Sequence, residues 1–356
     1  MQMDEEIVIN PCNGGASVPI GCLVDKISTM VPPKAIFRGI IHPSIGCIFG
    51  PSKSFKTTFT ESLLLSMSAG LTTFLGEPLF APSKRVLLVS MEEFYRNRTE
   101  RNKKQITHLT EKHQLDPSWS ENVYVVDETF PRYLFSDNDW AKLEAEIVRV
   151  KPSVVMLDSL TRMTVDPIED STVASKVMRK LRELAFKYGI TMIIIHHSQK
   201  IENKALTIAS LAGSRVIGQE LDFMIGINRT SNNVRYLKDV AYRYAPDDSE
   251  HVMIFNSNES QIVEKISLGE EAAIIAGSTA SIPTFNKDEL VLGFILEYTN
   301  QDPAIVFESS LLVQNLVDSR KMVKPTLYAA LNRLIESKII EKIGKGQFKL
   351  VGLSST

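Results

Sequence analysis

The residues best suited to chemistry in this sequence lie in one short segment between an apolar run and a stretch of helical character. The segment reads Gly50, Pro51, Ser52, Lys53, Ser54, Phe55, Lys56, Thr57 and Thr58, directly after the apolar run 45–49. A bound polyphosphate needs backbone N–H groups, a helix N-terminus and a flexible ammonium. We expect Lys56 to reach the β- and γ-phosphates and Thr57 to ligate magnesium. The segment therefore predicts a nucleoside triphosphate site, for ATP or GTP, with Mg²⁺ as its metal.

Phe55 departs from the usual pattern of such a loop, which has glycine directly before the lysine. Backbone amides can still point at a phosphate, but an aromatic side chain must now fit beside the loop. The alternative interpretation is a plain strand, turn and helix in which Lys56 and Thr57 follow each other by chance.

Hydrolysis also needs carboxylates, one to orient the metal and one to polarise water. Asp158 directly follows the apolar run 154–157, which places its carboxylate at the carboxyl edge of a predicted central strand. Ligands of open α/β sheets bind at that edge, so we expect Asp158 to hold magnesium, directly or through water. The alternative is that Asp158 caps the next helix.

Two further groups of polar residues follow apolar runs in the same way. Glu92 and Glu93 come after residues 85–90, and we expect Glu92 to activate the attacking water, with Glu93 as second candidate. His196 and His197 end the run 191–195 and are placed to sense the γ-phosphate by hydrogen bonding. No third ligand has a spacing that favours a metal site at this histidine pair. The alternatives are solvated acids and histidines that only satisfy the sheet edge.

The elements that must position these residues alternate between strand and helix. Short apolar strands are predicted at 85–90, 123–126, 153–157 and 191–195, and the stretch 172–188 has apolar residues at helical spacing. Continuous apolar strands alternating with amphipathic helices predict an α/β fold with a mostly parallel sheet covered on both faces. Strands near 223–227 and 252–255 are expected to extend this sheet.

The overall composition sets limits on the class of protein. The chain has 356 residues and a formal net charge of -2, so contact with nucleic acid requires a local basic patch. Its three cysteines fit no zinc spacing and no complete disulfide framework, which predicts a reducing compartment. Neither a signal pattern nor an apolar run long enough to span a bilayer is present, so a cytoplasmic protein with no membrane contact is expected.

The C-terminal part has its own pattern of three helices followed by a hairpin. Helices are predicted at 288–298, 309–317 and 325–337, and strands at 339–343 and 347–350 flank Gly344-Lys345-Gly346. Residues 320–349 contain eight basic and two acidic residues, a net +6 in a chain of net -2. The pattern resembles a winged helix-turn-helix, with Thr326 at the start of the recognition helix and Lys345 at the wing tip. The basic face suits duplex DNA, with Lys324, Thr326, Arg333 and Lys345 as contacts, although winged helices also bind proteins.

The order of the loop 50–57, Met91-Glu92-Glu93, Asp158-Ser159-Leu160 and His196-His197-x-x-Lys200 resembles the RepA-like hexameric replicative helicases. These belong to the RecA/DnaB superfamily and are common on plasmids, phages and integrated elements. The resemblance covers residues 36–260. It implies a RecA-like P-loop NTPase fold, ATP hydrolysis and a homo-oligomeric ring, often a hexamer, with sites shared between subunits.

The resemblance also implies roles for individual residues. It supports Lys56 and Thr57 at phosphate and magnesium, Glu92 as catalytic carboxylate, Asp158 as metal-orienting acid and His197 as sensor. An arginine of the adjacent subunit completes such sites, and Arg215 and Arg229 are the candidates. The loop after the histidines, with Lys200 and Lys204, resembles the region that faces single-stranded DNA.

These observations lead to an N-terminal arm (1–35), a RecA-like ATPase core (36–267), a linker (268–284) and a winged-helix-like domain (285–356). The favoured hypothesis is an ATP-hydrolysing DNA motor, most simply a replicative helicase of a mobile element. The alternative is an ATP-switched DNA-binding regulator or loader that does not unwind. A small-molecule kinase lacks any acceptor-site or lid signature in this sequence.

Overall fold

The computed structural model divides the chain into two compact units. The first is Met1–Val252 with Ser257–Glu264, and the second is Met253–Asn256 with Lys265–Thr356. The structure describes residues 17–30, 32–199, 201, 204–246, 251–276, 287–299, 302, 305–317, 324–336 and 339–351.

The first unit alternates strands and helices. Its helices are α1 (Ile20–Ser28), α2 (Lys56–Ser68), α3 (Tyr95–His113), α4 (Asp137–Val150), α5 (Ser171–Tyr188) and α6 (Arg215–Glu220). Up to residue 270 the strands are β1 (Ala35–Phe37), β2 (Ile40–Ile41), β3 (Ile45–Gly50), β4 (Thr73–Phe74), β5 (Glu77–Pro78), β6 (Val86–Ser90), β7 (Val123–Val125), β8 (Val154–Asp158), β9 (Thr191–His197), β10 (Phe223–Arg229), β11 (Arg235–Tyr242), β12 (His251–Ser257) and β13 (Val263–Glu270). Short 3₁₀ turns occupy Pro117–Asn122, Leu160–Arg162 and Ile208–Ser210.

The main sheet has the strand order β7-β6-β8-β9-β3-β10-β11, and β12 and β13 follow β11. The pairs from β7 to β10 are parallel, whereas β10 and β11 form an antiparallel hairpin. One strand, β9, separates the strand that enters the loop at 50–58 from the strand that ends in Asp158. This order confirms the predicted α/β fold class with a mostly parallel sheet.

Burial explains why the central strands read as unbroken apolar runs. Every residue of β3, β6 and β8 is buried, so both faces of these strands are covered and no polar alternation is needed. α5 is instead amphipathic, and Asp170 caps it by accepting hydrogen bonds from the N–H groups of Thr172 and Val173 at 2.7 and 3.1 Å. It ends at Gly189, whose φ of 60° lies in the left-handed region that favours glycine.

The predicted strands and helices around the loop are confirmed to within a few residues, and β9 is longer than predicted because it includes His196 and His197. The sequence did not predict α3, α4 or β11. Cys22 is disulfide-bonded, which the odd cysteine count did not predict, whereas Cys47 is a free and buried thiol. Within the part of the chain that the structure describes, no helix is long and apolar enough to cross a membrane.

The second unit consists of short helices around a small antiparallel sheet. Its further elements are α7 (Glu271–Ile275), α8 (Lys287–Thr299), β14 (Val306–Glu308), α9 (Ser309–Leu312) with a π-helical turn at Val313–Val317, α10 (Lys324–Glu336), β15 (Ile340–Gly344) and β16 (Gln347–Leu350). The sheet order is β14-β16-β15. Leu327, Leu331 and Leu334 are buried in the core of this unit, and Ile335 packs against it. Residues 268–276, the described part of the predicted linker, lie in β13 and α7 and at Ala276.

Candidate nucleotide site

The loop at 50–58 connects β3 to α2 and has the backbone that a phosphate cradle requires. A side chain at Gly50 is excluded, since a Cβ there would lie 1.8 Å from the carbonyl oxygen of Ile227. Lys53 and Phe55 adopt left-handed φ angles of 63° and 74°, so the chain turns back sharply before α2 begins at Lys56. The buried hydroxyl of Ser54 has no hydrogen-bond partner. An orphaned donor inside such a loop fits a bound phosphate oxygen.

The side chain of Lys56 lies within the loop. Its Nζ donates to the carbonyl oxygens of Gly50 and Pro51 at 3.0 and 2.8 Å, and the residue is only 6% exposed. Burial lowers the pKa of Lys56, and the carboxylate of Asp158 acts in the opposite direction. The ammonium is therefore positioned where a phosphate would meet it, as the sequence predicts.

Thr57 and Asp158 lie together at the carboxyl edge of the sheet. The Thr57 hydroxyl donates to Oδ2 of Asp158 at 2.7 Å, and Asp158 is 4% exposed. Burial raises the pKa of Asp158 to about 6, against the effect of the Thr57 hydrogen bond, and the charges of Glu92 and Glu61 add to the rise. A hydroxyl and a carboxylate are the hard oxygen ligands that Mg²⁺ prefers, usually together with substrate phosphates. The pair therefore fits the predicted metal.

Glu92 lies beside this pair because β6 and β8 are adjacent, with Ser90 in register with Asp158. The Ser159 hydroxyl donates to Oε1 of Glu92, and Nε2 of His197 lies 3.9 Å from the same oxygen. His197 and then Ser159 hold the pKa of Glu92 down at about 2, although burial acts in the opposite direction. Glu92 is therefore an anion across the physiological range, with access to solvent.

Glu93, the second candidate for activating water, has a different partner. Arg101 donates to both of its carboxylate oxygens, one of them at 2.7 Å. The same guanidinium donates to the fully buried Glu61 at 2.7 and 2.8 Å. Glu93 is thus part of an ion-pair network between α2 and α3, whereas Glu92 faces Asp158 and His197.

The two histidines have opposite environments because neighbouring side chains of a strand point to opposite faces. His196 is 1% exposed, and its Nε2 lies 3.1 Å from the carbonyl oxygen of Ala212. Burial lowers the pKa of His196 to about 4, so the ring is neutral at pH 7. His197 is in register with Gly50 and is partly exposed toward Glu92. Of the pair, only His197 can meet a ligand at this edge.

The remaining candidates belong to other elements. Arg215 begins α6 and is exposed, and Arg229 ends β10, where its Nε donates to Asn233 at 2.7 Å. Lys204 is exposed, and Lys200 lies outside the described residues. In the second unit Lys324, Arg333 and Lys345 are exposed, while the side chain of Thr326 is not among those described.

Sequence reasoning gave no role to Ser159 or Arg235. Ser159 directly follows Asp158, so its proximity to the site was a readable signal. Arg235, the first residue of β11, lies with its guanidinium carbon 3.9 Å from the centroid of the Phe55 ring. Nothing in the sequence pairs Phe55 with Arg235, since they are 180 positions apart.

Comparisons with known proteins gave a family match and similar solved structures. The family model described as AAA domain matches residues 24–203, half of the chain. No curated protein matches the sequence. Among solved structures, a KaiC-like protein from the hyperthermophilic archaeon Pyrococcus horikoshii OT3 has a TM-score of 0.46 and 14% identity, over 66% of this chain and 100% of that chain.

Proposed function

The chain belongs to the AAA domain family, and from that premise we propose that it is an ATP-hydrolysing DNA motor. Its simplest form is a replicative DNA helicase of a mobile element such as a plasmid, phage or integrated element. The observation that carries the proposal is the meeting of Lys56, the Thr57–Asp158 pair and the anionic Glu92 at one sheet edge. Binding alone would not need the carboxylate of Glu92 held beside that of Asp158.

The residues divide the chemistry between them. Lys56 and the loop amides hold the phosphate chain, and Thr57 and Asp158 hold Mg²⁺, which neutralises developing phosphate charge when bound. Glu92 orients the attacking water and accepts its proton. Ser159 and His197 fix the carboxylate of Glu92 in place, and His197 is free to respond to a terminal phosphate through the same contact.

DNA contact is proposed for both units. From α8 to β16 the element order is helix, strand, two helices and a hairpin, which supports the proposed winged helix-turn-helix. Lys345 is exposed at the turn between β15 and β16, and Lys324 is exposed at the start of α10. These positions support duplex contact by the predicted basic face. In the first unit, Lys200 and Lys204 are proposed to contact single-stranded DNA.

Assembly into a ring, in the simplest case a hexamer, is part of the proposal because an arginine of a neighbouring subunit can stabilise the transition-state charge of phosphoryl transfer. Arg229 and Arg215 are exposed and are the candidates for completing a neighbour's site. Mixing Arg229→Ala subunits with Glu92→Gln subunits tests this role. Each variant alone should be inactive, and mixing should restore turnover at those sites that combine an intact Glu92 with a neighbour's intact Arg229. Failure to restore would exclude Arg229, and the same experiment with Arg215→Ala tests the other candidate.

The test of the proposed function is the rate of ATP hydrolysis with and without single-stranded DNA. We expect DNA to stimulate the wild type and Lys56→Ala to be inactive, whereas Lys104→Ala, which changes an exposed lysine of α3 outside the loop, should remain active. Unwinding of a forked duplex would then separate a helicase from a translocase. ATP binding without turnover under either condition would contradict the motor.

The second candidate is an ATP-switched DNA-binding regulator or loader. Phe55 favours it, because an aromatic residue in place of the usual glycine departs from the pattern of such loops. In that case ATP should change DNA affinity or assembly, and single-stranded DNA should leave the hydrolysis rate unchanged.

A further inference from the structure

Phe55 and Arg235 form a contact that the proposed chemistry does not use. Phe55 directly precedes α2, with φ and ψ of 74° and 25°, a conformation in which glycine is the usual residue. The guanidinium of Arg235 lies over its ring, 3.9 Å from the centroid, well inside the range of a cation–π contact. The ring thereby holds an arginine of β11 against the phosphate loop.

The positive charge of Arg235 has no anionic partner among the described residues. Its Nε is buried and makes no hydrogen bond. Arg229 is directly opposite in the β10–β11 register, and its described hydrogen bond is to an amide oxygen, that of Asn233. Burial, and then the nearby charge of Arg229, lower the pKa of Arg235. Two adjacent cations with an unused buried donor favour an incoming anion.

The position of this cation relative to the sheet indicates which part of a nucleotide it would meet. Asp158 ends β8 and Glu92 comes shortly after β6, both on one side of β3, whereas Arg235 begins β11 on the other side. A triphosphate with its terminal phosphoryl group at Asp158 and Glu92 would direct the rest of its phosphate chain away from that side. The β10–β11 flank of the loop is where that chain would leave.

We propose that Arg235 is a further nucleotide-binding residue that contacts the phosphate chain of a nucleoside di- or triphosphate, and that the Phe55 ring positions it. This assigns a function to the aromatic residue at a position where glycine is usual. The proposal rests on the nucleotide site of the proposed function but not on movement along DNA.

The test is the equilibrium dissociation constant for ATP, measured by calorimetry on the full chain. A lost charge-assisted hydrogen bond should weaken ATP binding by Arg235→Ala roughly 10- to 100-fold. Arg235→Lys should recover part of the affinity because it keeps the charge. Phe55→Leu, which keeps an apolar side chain but removes the ring face, should weaken binding in the same direction by less. Arg149→Ala is the matched control, since Arg149 is an exposed arginine 5.6 Å from the ring of Tyr124.

Two readouts separate a phosphate contact from structural damage. The wild-type affinity should fall more steeply with added salt than that of Arg235→Ala, because the variant has lost one charge contact. Inorganic tripolyphosphate should show the same loss in Arg235→Ala as ATP does. Structural damage would not reduce the salt dependence of ATP binding in Arg235→Ala, and Arg235→Lys would then not recover affinity.

The outcomes are distinct. If Lys56→Ala loses ATP binding and Arg235→Ala binds as tightly as wild type, the role of Arg235 is refuted and the nucleotide site stands. If wild-type binding does not depend on Lys56, the nucleotide site itself fails. If Arg235→Ala weakens binding but Phe55→Leu does not, the positioning role of Phe55 is refuted.

Discussion

Replacing Asp158 with asparagine should abolish hydrolysis and stabilise the first unit. The gain in the free energy of unfolding over wild type should be larger at pH 8 than at pH 5. Asp158 is 4% exposed, and burial raises its pKa to about 6 from an ordinary value of 3.8. A carboxyl group with a raised pKa binds its proton more tightly in the folded state. The free energy of unfolding therefore falls as pH rises from about 4 to about 6.

The magnitude follows from the two pKa values. The full shift corresponds to roughly 3 kcal/mol, and about half of it falls between pH 5 and pH 8. Asparagine carries no such charge, so the variant lacks this loss. Its amide oxygen can still accept the Thr57 hydrogen bond, and any difference in that bond does not depend on pH. Glu92, with its pKa near 2, stays ionised at both pH values and cancels.

The assay is urea unfolding of both proteins at pH 5 and pH 8, followed by tryptophan fluorescence. Both tryptophans of the sequence, Trp119 and Trp140, lie in the first unit, so the signal reports on that unit. Asp166→Asn, which removes an exposed carboxylate, is the control and should show no pH-dependent gain. If Asp158→Asn changed the free energy of unfolding equally at the two pH values, the reasoning would be refuted. Ionisation of Asp158 would then not destabilise the folded state.

Three further predictions concern the same edge of the sheet. Glu92→Gln should leave ATP affinity unchanged and reduce kcat by roughly 10²- to 10⁴-fold, measured as phosphate release; unchanged kcat would exclude Glu92 as the base. Arg101→Met should cost the first unit about 3–5 kcal/mol because it leaves the buried Glu61 unpaired, and adding Glu61→Gln should recover most of it in denaturant unfolding; no recovery would refute this pairing. Burial lowers the pKa of His196 from 6.5 to about 4, so the unfolded chain takes up this proton at a higher pH than the folded chain. The free energy of unfolding should therefore fall by roughly 3 kcal/mol in total as pH falls through this range. His196→Asn should flatten the pH dependence of unfolding between pH 7 and pH 4, and an unchanged slope would contradict it.

Local patterns in the sequence were sufficient for the fold class and for most of the site. The loop at 50–58 is contiguous, and Asp158 and His197 each end an apolar run, so the rule that parallel strands share one carboxyl edge brought them together. Helix α3 was missed because its polar surface gives little apolar periodicity. Strand β14 was missed because it has three residues, of which only Phe307 is buried.

The choice between Glu92 and Glu93 depended on tertiary structure. The sequence places both acids after the same strand, and the folded structure pairs Arg101 with Glu93 and with Glu61 of α2, whereas Glu92 lies beside Ser159. The same holds for the two histidines, because strand alternation separates their faces but does not say which face is covered.

What the sequence determined by itself was the chemistry available at the sheet edge, since residue type and strand order are local properties. What only the tertiary structure decided were the long-range pairs: Phe55 with Arg235, Glu61 with Arg101, and Glu92 with His197. These pairs depend on how separate elements pack. A single sequence carries no signal for a contact between residues 40 to 180 positions apart until the fold brings them within a few ångströms.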